Sequence, residues 1–151
     1  MPKRPAHKAR RRPGFFHPVH VTPRRDGWSV ERQCAFLAQL YFTGSVSAAA
    51  RQVGLTRESA HRLRKRPGAE SFAAAWDRVL APPGTRHCRS EKPDMRKVTP
   101  GALRERVETG LVRPVVYRGT MTAIAQKPDN SALLRLLRRQ DAQCASLREY
   151  D

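Results

Sequence analysis

Apolar positions along this chain fall into two kinds of pattern, and the change from one to the other divides it. Between Ser29 and Gly44 they recur as Val30, Cys34, Leu37 and Tyr41, with Phe36 and Leu40 widening the stripe. Steps of three and four put such residues on one face of a helix. Ser29 has the chemistry of an N-cap, Glu31 complements the helix dipole, and Gly44 stands where such a helix should stop. Ser45 caps a second, short helix over 46–53, which Gly54 breaks. Thr56 caps a third, running to Lys65 ahead of Pro67 and Gly68. Phe72, Trp76, Val79 and Leu80 lie at i, i+4, i+7 and i+8 and predict a fourth over 69–80. Residues 26–81 therefore read as a four-helix unit.

The pattern lapses over 82–98, where three prolines and mixed charges stand among few apolar residues. That composition predicts a linker. Thr99-Pro100 is an N-cap followed by proline at the first helical position. Leu103 and Val107 then mark a short amphipathic helix that ends at Gly110. Val112 to Tyr117 and Thr120 to Ala125 are rich in Val, Ile, Thr and Tyr and predict a β-hairpin across Arg118-Gly119, a weaker turn signal than Asn-Gly. Pro128-Asp129-Asn130 opens a last helix whose apolar face is Leu133, Leu134, Leu136 and Leu137. Residues 99–142 thus form a helix–hairpin–helix segment, with 143–151 as a fraying tail.

Charge changes this picture. The 151 residues include 30 Lys and Arg against 13 Asp and Glu, a formal net charge of +17. Such a surplus repels itself in a compact monomer and attracts a polyanion. Residues 1–25 hold eight basic residues, no acidic ones and five prolines, while 26–81, 82–98 and 99–151 each carry +3. The first segment reads as a disordered basic arm that contacts phosphates. It has no apolar core of a secretory signal, and its prolines and lack of Ser do not suit an organelle transit peptide. The expectation is a cytoplasmic protein. No apolar run approaches the roughly 18 residues of a membrane span, so no membrane is expected. Cys34, Cys88 and Cys144, odd in number and far apart, exclude a disulfide framework.

The informative stretch is Val46 to Lys65, VSAAARQVGLTRESAHRLRK. Two helices joined by a tight turn at a steep angle need small residues at their close approach and a glycine in the turn. Ala49, Ala50 and Gly54 meet those needs, and Val53 and Leu55 flank the glycine. Ala60 and Leu63 form the inner face of the second helix. Thr56, Arg57, Glu58, His61, Arg62 and Lys65 are left pointing outward. Thr56 and Arg57 suit phosphates near a helix N-terminus. Arg62, Glu58 and His61 suit base edges, since Arg can bind guanine O6 and N7 bidentately. Arg64, Lys65 and Arg66 extend the positive strip. Ser45, Arg51 and the arm are expected on phosphates.

These twenty residues resemble the helix-turn-helix motif of bacterial and phage DNA-binding proteins. Ala60 departs from the pattern, which often has a β-branched residue there. A wider resemblance runs from Glu31 to Leu80, through Thr43-Gly44-Ser45-Val46, Ala48-Ala49-Ala50, Val53-Gly54-Leu55, Leu63-Arg64 and Phe72-Ala73-Ala74-Ala75-Trp76. With Pro114-Val115-Val116-Tyr117-Arg118-Gly119 and Leu133 to Leu137, it is similar to phage terminase small subunits. That resemblance implies duplex DNA as partner, assembly of subunits into rings, and a large terminase subunit as a further partner.

Signs of chemistry are missing. There is no Gly-rich loop ending in Lys-Ser or Lys-Thr, no metal-ligand spacing beyond His87-Cys88, and no carboxylate cluster for Mg²⁺. The reading is a non-enzymatic protein without cofactor or metal. Its expected fold is mainly α: a helix-turn-helix domain over 26–81, a disordered arm before it, and a small helix–β-hairpin–helix segment after it. One such motif offers few base contacts, so a homo-oligomer is expected, with the hairpin and last helix as its assembly surface or as a lid on the same monomer. The alternatives to a terminase-like component are a bacterial or prophage transcriptional regulator and an RNA-binding or assembly protein.

Overall fold

The computed structural model describes residues 10–82 and 96–148. Within them, α1 spans Val30–Thr43, α2 Val46–Gln52, α3 Arg57–Arg64, α4 Glu70–Leu80 and α5 Pro100–Thr109. β1, Leu111–Tyr117, and β2, Thr120–Lys127, follow, and α6 covers Asn130–Arg148. The described residues are mainly helical with one two-stranded antiparallel sheet. Four helices start at side-chain caps read in the sequence. Ser29, Ser45, Thr56 and Thr99 accept the backbone N–H three residues on, at 3.2, 3.4, 3.2 and 3.2 Å. Each such cap is worth about 1 kcal/mol.

α1 is the central element. Its Cys34, Phe36, Leu37, Leu40 and Tyr41 are buried in one cluster with Ala49, Ala50, Ala60 and Leu63 of α2 and α3, and Phe72, Trp76 and Val79 of α4. Leu80, the fourth member of the stripe expected on α4, is 39% exposed. Rings tie the layers together: Phe36 lies 4.9 Å from Trp76 and 5.5 Å from Trp28, the latter edge-on. Aromatic pairs in these arrangements add about 0.5–1.5 kcal/mol beyond their buried area.

The N-terminal segment corrects the sequence reading. A disordered arm was expected over 1–25, yet 10–25 pack against the protein, and 1–9 lie outside the described residues. Phe16 is 0% exposed and Val19 3%. Phe16 exchanges both backbone hydrogen bonds with Val112, at 2.9 and 3.0 Å, and so extends the hairpin by one bridge. Its ring meets Phe72 edge-on at 5.8 Å. Gln33, buried in α1, holds Val19 like a strand partner: its Oε1 accepts the Val19 N–H at 2.8 Å and its Nε2 donates to the Val19 carbonyl at 2.9 Å. Two large apolar side chains thus leave water where the prolines forbid a helix but not an extended path.

The hairpin is a lid on this same core. Val112 belongs to the cluster, and Val116, Met121 and Ile124 pack against it. Met121 and Ile124 are three apart, so strict alternation would send them to opposite faces. A bulge opposite Val115/Val116 inserts one residue and brings both to the core side. Val112 directs its polar groups to Phe16, so alternation sends the missing N–H of Pro114 to that outer edge, away from β2. Arg118 and Gly119 have φ of 47° and 81°, both positive as a two-residue turn of this hand requires.

A second, smaller cluster joins α5 to α6 through Leu103, Ala132 and Leu136, with Val98 and Val107 beside it. The expected apolar face of the last helix is only partly covered by this cluster. Of its four leucines Leu136 is buried, and Leu133, Leu134 and Leu137 are 39%, 55% and 46% exposed. The expected fraying tail is corrected, since α6 continues to Arg148 and 149–151 lie outside the described residues. Of the expected linker, 83–95 also fall outside them. Asp129 caps α6 by accepting the Ala132 N–H at 3.0 Å, and its other oxygen takes His17 Nε2 at 2.6 Å. That pair staples the N-terminal segment to the start of α6.

Candidate nucleic-acid interface

α2 and α3 meet at a tight corner. Gly54 adopts φ of 75°, and a side chain there would find open space, so the backbone conformation alone calls for glycine. The Leu55 N–H donates to the Ala50 carbonyl at 2.9 Å and the Gly54 N–H to Arg51 at 3.1 Å, which closes the turn. Ala60 and Leu63 are buried at 0% and 1%, and Leu55 is half-buried against the same cluster. The inner face expected from the sequence is therefore the inner face of α3.

Its outer face carries most of the residues singled out above. Arg57, Glu58, His61, Arg62 and Lys65 line one open groove of about 370 Å³. All but His61 are exposed. Three cations face one carboxylate there, so the ridge is positive. His61 is half-buried, its ring 5.3 Å from that of Trp76, and only part of it is left to touch a ligand. Thr56 and Ser45 are exposed, but the oxygen of each already accepts a capping N–H, which leaves the hydroxyl proton free to donate. Arg51 is exposed near the end of α2.

Arg64 departs from the expected positive strip. Its guanidinium makes a bidentate pair with Asp77 of α4 at 2.7 and 2.9 Å and lies 5.1 Å from the Trp76 ring centroid. It fastens α3 to α4 rather than facing solvent. Lys65 and Arg66 remain exposed.

Sequence reasoning missed the wall beside α3. Residues 24–27 form a turn in which the Gly27 N–H donates to the Arg24 carbonyl at 3.1 Å. The indole Nε1 of Trp28 donates to Ser59 Oγ of α3 at 2.9 Å, and Arg32 Nη1 donates to the Gly27 carbonyl at 2.8 Å. Arg24 and Arg25 are thereby held next to α3 instead of on a free arm. The sequence did not show this because the tie that sets the turn beside α3 is long-range: the Trp28 indole reaches Ser59, 31 residues further on.

Two titratable groups depart from their ordinary behaviour. Burial pushes the Cys34 thiol up to about 12, so it stays protonated and inert. Burial lowers the pKa of His17 below its ordinary value despite the neighbouring Asp129 carboxylate, and Arg106 adds to the lowering. Nε2 of His17 meets the Asp129 carboxylate, and its Nδ1 is buried.

Among the described residues no three His, Cys, Asp or Glu side chains gather to hold a metal ion. No helix among them is long and apolar enough to cross a membrane. Comparison with protein-family models, with curated proteins and with solved structures returns no match to this chain.

Proposed function

We propose that this protein binds duplex DNA without chemistry, with α2, the Gly54 corner and α3 acting as a helix-turn-helix and α3 entering the major groove. The observation that carries the reading is the division of α3. Ala60 and Leu63 are spent on the core, while Arg57, Arg62 and Lys65 stand exposed along one outer ridge. The net charge of +17 supplies the non-specific attraction such a contact needs. Arg62 and Glu58 read base edges, with the exposed edge of His61 beside them. Thr56, Arg57, Ser45 and Arg51 contact phosphates.

A terminase small subunit-like role and a transcriptional regulator share this surface and differ in assembly. The leucines exposed on α6 favour self-association, because an apolar stripe of that kind gains by being covered. A ring of many subunits, with a large terminase as partner, belongs to the first role and a dimer to the second. The test of the common reading is competition. Labelled duplex DNA bound to the protein should be displaced by unlabelled duplex far more readily than by single-stranded RNA of equal length. Preferential displacement by the RNA would make the protein an RNA binder instead.

A further inference from the structure

A cleft of about 560 Å³ lies between the 21–28 segment and the flank of α3. Its depth is graded by burial. Trp28 and Leu63 are 8% and 1% exposed, Val21 and Leu55 are half-buried, and Arg24, Arg25, Arg62 and Arg66 are exposed. An apolar base under a cationic rim suits a sugar–phosphate strand, whose sugars are apolar in part and whose phosphates lie outermost. Asp26 is the one carboxylate lining the cleft, so the rim carries a net positive charge. Among the described residues none of the four guanidiniums is held by a carboxylate.

The cleft and the ridge are adjacent faces of one helix. Ser59, Arg62, Leu63 and Arg66 step along α3 and its C-terminal end by three and four, and so face the cleft. Arg57, Glu58, His61, Arg62 and Lys65 form the ridge, and Arg62 belongs to both. A helix lying in a major groove has a phosphate backbone alongside it, and the 24–27 turn stands on that side of α3.

We propose that this cleft is a phosphate clamp, in which Arg24 and Arg25 from the turn and Arg66 from the end of α3 grip the DNA backbone flanking the groove. The proposal rests on the duplex-binding reading and adds a second wall to it. The clamp is preorganised, because the Trp28–Ser59 and Gln33–Val19 hydrogen bonds hold the segment before any DNA arrives. Fixed cations lose less entropy on binding than cations on a free arm. Their contacts go to phosphate, so they add affinity without sequence preference.

The test compares the full-length protein with its Arg24→Ala/Arg25→Ala and Arg57→Ala variants by fluorescence anisotropy on several short duplexes over a salt series. Both arginines of the turn are exposed, and matching circular dichroism and melting would verify that the double variant folds. The double variant should lose affinity by a similar factor on every duplex. Its log–log salt slope should flatten by about 1.8, at roughly 0.9 per lost phosphate contact. Wild-type affinity and slope in the double variant, with Arg57→Ala impaired, would overturn the clamp and leave the duplex-binding reading standing. A wild-type protein that binds no duplex would overturn both.

Discussion

Gln33 shows how one polar side chain decides the course of a whole segment. Its amide satisfies both backbone groups of Val19 inside the core, where no water reaches. Gln33→Leu would leave both groups unpaired, at a cost of about 1–3 kcal/mol each, and urea denaturation should register the loss. A variant as stable as the parent would mean that Val19 finds other partners. Cys34 makes a different single-residue point. Its buried thiol, pushed up to about 12, should resist a thiol reagent in the native state while the exposed Cys144 reacts. Labelling of Cys34 at the rate of Cys144 would contradict its burial. On α3, Arg62→Ala should cost about 1–3 kcal/mol on a preferred duplex and relax selectivity there. An equal loss on all sequences would move Arg62 from base edge to phosphate.

At the scale of elements, the helices were legible because their signals are local. Serine and threonine caps, apolar steps of three and four, and the glycines at 44 and 54 all act within one turn of the chain. The α2–α3 corner was legible for the same reason. Phe16 was not, because prolines and arginines surround it and its partners, Val112 and Phe72, lie far along the sequence. Composition argued against order, and a few long-range contacts outweighed it. Phe16→Ala should therefore destabilise the whole protein by about 3–5 kcal/mol, whereas a residue on a free arm would cost nothing on melting. His17 carries the staple to α6, and its lowered pKa gives it a sign. The unfolded chain takes up a proton at the ordinary value of 6.5, while the folded ring resists until lower pH. Stability should therefore fall as pH drops below that value. A His17→Gln variant, which retains a donor for Asp129, should lose less stability over the same interval than the parent. Parallel curves for the two proteins would remove His17 from the acid response.

At the scale of the molecule, a main core built from Phe16 to Ile124 and a smaller one between α5 and α6 leave two faces unlike each other. One is the cationic surface of α3 with the turn at 24–27. The other is the leucine stripe of α6, which the sequence marked as apolar but could not assign to inside or outside. Helical spacing reports which residues share a face and not whether that face is covered. Light scattering should find the protein larger than a monomer, and Leu134→Glu/Leu137→Glu should return it to one. A monomeric parent would remove the assembly role of α6. Binding itself is tested most directly by titrating the isotopically labelled protein with a short duplex and following its backbone amide resonances. The account expects the largest shifts at 24–27 and 56–66, with α6 little changed by the nucleic acid. Shifts centred on α6, or none on α3 at saturation, would contradict it.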